Sequence, residues 1–330
     1  MNDNPKKRFR QKFGKITMKE PYIKTRFFPK RIRGYIDLFR PFTLLAPIVV
    51  SMSIMIASLV YTKSTLPENW WIIIGNASLT MAIVNAASNA LNQATDAEAD
   101  KISKPYRPIP RGIVKVEEAQ SLAYILYLFA LLRTVVINPL FTTFVFLIML
   151  FTVTYSLPPR TKKYLFINQV WIAIPRGLLG ILAAWSVFGD PFQKEPLIIG
   201  LIATTYLIGG MATKDIVDAQ ADKKTGTKTM INTYGTKKTA FVSFPFMCLP
   251  FILIPILIER NLLESYLWPL TIFIIPSLFV FYLMIKKSES KTLENIHAWS
   301  IMYIEYIFYA LGFAMLIIFS SGFNFQLFFG

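Results

Sequence analysis

Continuously apolar stretches, each long enough to cross a bilayer as a helix, recur along the chain from residue 42 to residue 319. In hydrocarbon every backbone N–H and C=O must be bonded within its own segment or around a closed barrel. A barrel would show a sustained two-residue alternation of polar and apolar side chains, and these stretches show none. The expectation is an all-α, multi-pass membrane bundle of about nine transmembrane helices, at roughly 42–61, 70–91, 117–136, 139–156, 165–187, 195–212, 239–258, 266–285 and 298–319. The hydrophobic fraction, 54%, exceeds what a soluble core calls for.

Charge sets the expected orientation. Residues 1–40 carry thirteen Lys and Arg and read as a basic cytoplasmic tail ahead of a transmembrane domain over 41–330. The net charge of +16 and the run Lys6-Lys7-Arg8-Phe9-Arg10 would suit nucleic acid in isolation. A basic run beside a membrane span is instead attracted to anionic headgroups, so membrane lipids are the expected partner and nucleic acid is not. Lys101, Lys104, Arg107, Arg111, Arg160, Lys162, Lys214, Lys223 and Lys286 fall in the loops after even-numbered spans, while the odd loops hold Lys63, Lys194 and Arg260. In a cell-membrane protein this places the N-terminus and the even loops in the cytoplasm. The first apolar run begins too late and is too long for a cleavable signal. A lone Cys248 excludes an internal disulfide, and the lone His297 reads as a solvated interfacial residue.

Two loops carry the chemistry. Asn92-Gln-Ala-Thr-Asp96-Ala-Glu-Ala-Asp100 and Lys214-Asp215-Ile-Val-Asp218-Ala-Gln-Ala-Asp222 are near copies, each directly after an apolar span. At helical pitch carboxylates at i and i+4 share a face, so each stretch can present two hard oxygen ligands to a divalent cation. Asn85 and Asn89 extend the first polar face upstream, and facing lipid would be costly, so they are expected to point into the bundle. Downstream come Lys101, Lys104, Arg107 and Arg111, interleaved with Pro105, Pro108 and Pro110; the second stretch is followed by Lys223, Lys224 and Lys228. Acids followed by bases on a stiff loop suit a metal-bridged diphosphate. One such stretch is as readily a solvated loop; two in the same order on the same side argue for a site.

The pattern Asn92-x3-Asp96-x3-Asp100, then Arg107-Pro108-Ile109-Pro110-x-Gly112, then Tyr155-Ser156-Leu157-Pro158-Pro159 with the basic turn Arg160-Thr161-Lys162-Lys163, then Lys214-Asp215-x2-Asp218-x3-Asp222, resembles the UbiA-type membrane prenyltransferases over nearly the whole chain after the tail. It departs from the commonest family pattern at Gln93, where an Asp often follows the Asn. The resemblance implies a UbiA-like intramembrane enzyme that uses a polyprenyl diphosphate donor and Mg²⁺. In that picture Asp96, Asp100, Asp218 and Asp222 hold Mg²⁺ on the diphosphate. Asn92, Lys104, Arg107, Arg111, Tyr155, Lys162, Lys214 and Lys223 are substrate-binding candidates. Asp215 joins the catalytic set as an acid able to orient or deprotonate the acceptor, with Glu305 as a second candidate. Neutralising the departing diphosphate eases ionisation, and a dry bundle interior keeps water from the carbocation. Trp185, Phe244 and Tyr306 are candidates to shield that cation, and Arg176 and Glu305 are intramembrane charges that call for partners.

The acceptor is less constrained. The textures Asn92-Gln93, Lys104-Pro105-Tyr106 and Thr213-Lys214-Asp215 resemble the branch that prenylates small aromatic or quinone-precursor rings, which makes that the leading expectation. The branch that transfers geranylgeranyl to a glycerol-phosphate ether lipid shares the metal motifs and stands second. A transporter with acidic cation sites is the competing class. It is disfavoured because inverted repeats would place related motifs on opposite membrane sides.

Overall fold

A computed structural model of the chain describes residues 28–62, 67–286 and 297–322. Its described residues form helices and no strand. Residues 1–27 of the basic segment, with the Lys6–Arg10 run, lie outside the described residues, as does Lys63. Described structure starts with α1 (Lys30–Phe39), a turn at Arg40 with φ +55°, and a 3-10 turn (Pro41–Leu44) leading into α2 (Leu45–Tyr61). Then follow α3 (Trp70–Thr95), α4 (Ala97–Ser103), α5 (Val116–Thr134), α6 (Pro139–Ser156), α7 (Ile167–Arg176), α8 (Leu178–Trp185) and α9 (Lys194–Gly210). After a 3-10 turn come α10 (Asp215–Thr225), α11 (Met230–Ile252), α12 (Ile254–Glu259), α13 (Ile274–Ile285) and α14 (His297–Ser320).

Eight described segments are long and apolar enough to cross a membrane, and the chain is a multi-pass membrane protein. The one expected span outside these eight, the third, is α5, which has the length but carries Glu117, Glu118 and Arg133. Arg133 is sealed against α3, donating to Thr80 Oγ1 at 3.2 Å and to the Asn76 carbonyl at 3.3 Å, which keeps its charge from lipid.

Three side chains of α3 hold the chain's entry into the bundle. Asn85 Nδ2 donates to the Thr43 carbonyl (3.1 Å), Asn89 Nδ2 to the Phe39 carbonyl (2.9 Å) and Gln93 Nε2 to the Leu38 carbonyl (2.6 Å). Two of the carbonyls at the end of α1, those of Leu38 and Phe39, are thereby satisfied, as is that of Thr43 in the turn that follows. Gln93 therefore faces α1, and its departure from the family pattern is a packing feature.

The fifth span is not one helix. It breaks at Gly177, where a Cβ would lie 2.4 Å from Thr204 Oγ1 and 2.6 Å from the Thr204 backbone nitrogen, so only glycine lets α9 cross this closely. The Leu178 N–H donates to Thr204 Oγ1 at 2.7 Å, and the Tyr306 hydroxyl donates to the Arg176 carbonyl at 2.6 Å. Backbone groups freed by the break are thus bonded, as hydrocarbon requires. The two short acidic helices, α4 and α10, pack against each other at one end of the bundle.

Candidate active site

The packing of α4 on α10 joins both aspartate stretches around one polar chamber. Its walls include Asn92, Asp96, Asp100, Lys104, Arg107, Tyr155, Arg160, Lys162, Lys214, Asp215, Asp218 and Asp222. An inner chamber adjoins it, lined by Val50, Met81, Val84, Ile148, Phe151, Trp171, Ile172, Tyr303 and Tyr306 among others. Arg40, Asn92, Tyr155 and Lys214 line both chambers and form a collar between them.

Acids and bases of the polar chamber neutralise one another across chain segments. Asp100 accepts from Arg107 at 2.7 Å, both side chains only 4% exposed. Lys104 of the loop after α4 pairs with Asp218 of α10. Asp96 receives Arg160 at 3.0 Å and also Lys162, while Lys214 pairs with its neighbour Asp215. Asp222 makes no ion pair among the described residues. Burial raises the Asp100 carboxyl above its ordinary value against the opposing pull of Arg107, and burial lowers the Lys162 ammonium although Asp96 opposes it. Two backbone devices support these positions. Gly112, at φ +67°, closes the turn after Pro110 by donating to the Ile109 carbonyl at 2.9 Å. Arg160, at φ +56°, starts the short 3-10 turn that delivers Lys162.

Several expected residues fall elsewhere. Lys223 is exposed and lines neither chamber; Arg111 is exposed and borders a separate surface recess with Lys30, Arg33 and Asp37. Glu305 is buried against Ser277, whose hydroxyl donates to Oε1 at 2.6 Å, and it lines neither chamber. It does not pair with Arg176, which is on the inner-chamber wall. Trp185 is a core residue, with ring centroids 5.4 Å from Tyr61 and 6.1 Å from Phe313, and Phe244 packs on Phe281. Of the three proposed cation shields, Tyr306 alone faces the inner chamber, joined there by Phe151, Tyr155, Trp171 and Tyr303. Arg40, Arg160 and Asn168 also line the chambers. Among these, only Arg160 had a signal in the sequence, its place in the basic turn.

Among the described residues no three carboxylate, His or Cys side chains converge to hold a metal ion. Mg²⁺ is commonly held by one or two carboxylates together with substrate phosphate oxygens. A hard, all-oxygen set spread across two facing helices fits a cation that arrives with a diphosphate.

An all-helical membrane bundle with a charged chamber opening onto an aromatic and aliphatic one is an intramembrane protein built for an anionic head on an apolar tail. Residues 50–304 match the model of the UbiA prenyltransferase family, and the chain belongs to that family. It is a prenyltransferase. It is 27% identical over 285 residues to a digeranylgeranylglyceryl phosphate synthase of Methanosphaera stadtmanae, a match covering 84% of this chain and 98% of that one. A probable homogentisate phytyltransferase 2 of Oryza sativa is 29% identical over 214 residues, covering 62% of this chain and 56% of that one. Among solved structures, a UbiA homologue of Archaeoglobus fulgidus bound to GPP and Mg²⁺ superposes with TM-score 0.65 at 18% identity, over 86% of this chain and 99% of that one.

Proposed function

We propose that the protein transfers a polyprenyl group from its diphosphate to the free hydroxyl of a glycerol-phosphate ether lipid, with Mg²⁺ as cofactor. The observation that carries the acceptor is the end-to-end likeness to digeranylgeranylglyceryl phosphate synthase, which spans 98% of that relative. The aromatic acceptor expected from local texture is supported by a match to just 56% of the homogentisate enzyme, and the lipid reading replaces it.

Asp96, Asp100, Asp218 and Asp222 would hold Mg²⁺, which when bound neutralises diphosphate oxygens and improves the leaving group. The chain's own residues do the rest. Lys104, Arg107, Arg160 and Lys162, each facing a carboxylate, exchange that partner for diphosphate oxygens. The bond from prenyl C1 to the diphosphate oxygen breaks, and the diphosphate leaves with the electron pair. A new bond forms from C1 to the acceptor hydroxyl oxygen, whose proton passes to a base, for which Asp215 on the polar wall is the candidate. Tyr155, Trp171, Tyr303 and Tyr306 present ring faces to the developing cation and exclude water.

With isotope-labelled geranylgeranyl diphosphate, Mg²⁺ and a panel of aromatic and glycerol-phosphate acceptors, mass spectrometry is expected to find label in the ether lipid and none after chelation. Label carried by homogentisate alone would overturn the acceptor.

We also propose that the polar chamber faces the cytoplasm, on the strength of the basic even loops. In a Cys248→Ser background, a membrane-impermeant thiol reagent added outside is expected to label a cysteine at Asn69 or Asn261 and to miss one at Ser103 or Thr225. The reverse pattern would invert the chamber.

A further inference from the structure

Arg176 ends α7 at the break of the fifth span, deep within the membrane bundle. A guanidinium there is costly unless something of opposite charge meets it. No carboxylate of the described residues lies within 4.0 Å of it, and its guanidinium donates no hydrogen bond to any of them. Its electrostatic neighbours are Tyr303, Arg40, Tyr306 and Tyr155, three neutral phenols and a second cation. Two phenols are already committed. Tyr303 Oη accepts from the Ala46 N–H at 2.8 Å and donates to the Thr43 carbonyl at 2.9 Å, and Tyr306 Oη donates to the Arg176 carbonyl. Arg176 is on the wall of the inner chamber. It differs in this from Lys104, Arg107, Arg160 and Lys162 of the polar chamber, each of which faces an aspartate.

A half-buried cation on the chamber wall with no anion supplied by the described residues is a site for an anion that arrives with a ligand. The donor's diphosphate belongs among the paired aspartates on the other side of the collar, so a different anion is required here. We infer that Arg176 seats the phosphate monoester of the acceptor lipid, which makes the inner chamber selective for acceptors bearing an oxyanion. This rests on the lipid-acceptor reading above.

The test uses the full chain in nanodiscs of zwitterionic lipid, with geranylgeranylglyceryl phosphate and its dephosphorylated alcohol as alternative acceptors. Arg176→Gln is expected to raise KM for the phosphorylated acceptor by about 10- to 100-fold, the loss of one charge-assisted contact. It should leave KM for the alcohol and for geranylgeranyl diphosphate within about twofold, and Arg176→Lys should recover part of the loss. Thermal melting shows whether each variant is folded; if the Gln variant is not, the Lys variant carries the comparison, with a smaller but still phosphate-selective rise. An equal penalty on both acceptors, or a rise in KM for the diphosphate, would overturn the assignment. Wild-type protein that prenylates neither lipid would remove the acceptor reading and this inference with it. Wild-type turnover with no phosphate-selective effect of either variant would remove the inference alone.

Discussion

Asp218→Asn is expected to reduce prenyl transfer by at least about 100-fold while leaving the protein inserted and folded, a loss comparable to removing one preorganised electrostatic group from an active site. Asp218 comes from the second acidic stretch, yet it receives Lys104 from the loop after the first. It therefore belongs to the seam between α4 and α10 and not to one helix alone. The amide retains the shape and loses the negative charge, so a cation loses a hard anionic ligand while Lys104 loses its counter-charge. Both changes act on the diphosphate chamber and neither removes apolar packing, but the buried Lys104 is left without its partner, so the melting temperature is expected to fall while the fold is kept. Asp96→Asn should behave alike, because Asp96 receives Arg160 and Lys162 from a third segment. Turnover should be measured across a Mg²⁺ titration, with thermal melting as the folding control. Near-normal turnover of either variant at saturating Mg²⁺ would defeat the proposed metal roles.

The difference between what the sequence disclosed and what it hid has physical reasons. Spans were legible because a bilayer demands long, uninterrupted apolar runs. The aspartate pairs were legible because i, i+4 spacing is local and the motif occurs twice. Lys223 was misplaced for an equally local reason. It follows Asp222 by one residue, about 100° around the helix, so it points away from the face its neighbour shares. Arg111 lies beyond the Pro108–Pro110 turn, which carries it off the chamber. Arg40 gave no signal beyond being the last base before the first apolar run, and the turn after α1 brings it to the collar. The break at Gly177 was hidden because glycine inside an apolar run leaves hydropathy unchanged, while the reason for it, Thr204, is 27 residues further on. Whether Arg176 and Glu305 met was a question of tertiary packing, to which no periodicity speaks.

Arg107→Gln is expected to destabilise the protein by about 3–5 kcal/mol, the range for removing one partner of a buried ion pair. In a melting experiment that corresponds to a drop on the order of 10 °C. Asp100 and Arg107 are each 4% exposed and 2.7 Å apart, so the guanidinium is the charge that compensates this carboxylate at contact distance. Burial already raises the Asp100 carboxyl above its ordinary value with Arg107 present, and without it the unpaired charge is the larger penalty. The double variant Asp100→Asn/Arg107→Gln should therefore melt well above Arg107→Gln, since the second change removes the stranded carboxylate. Activity should not return with stability. If Arg107 serves the diphosphate and Asp100 the metal, the double variant is stable and inactive, and its weakened binding should be of the prenyl diphosphate. A double variant that melts no higher than Arg107→Gln would show that the pair is not the source of the cost, and recovered turnover would show that neither residue is needed for donor ionisation.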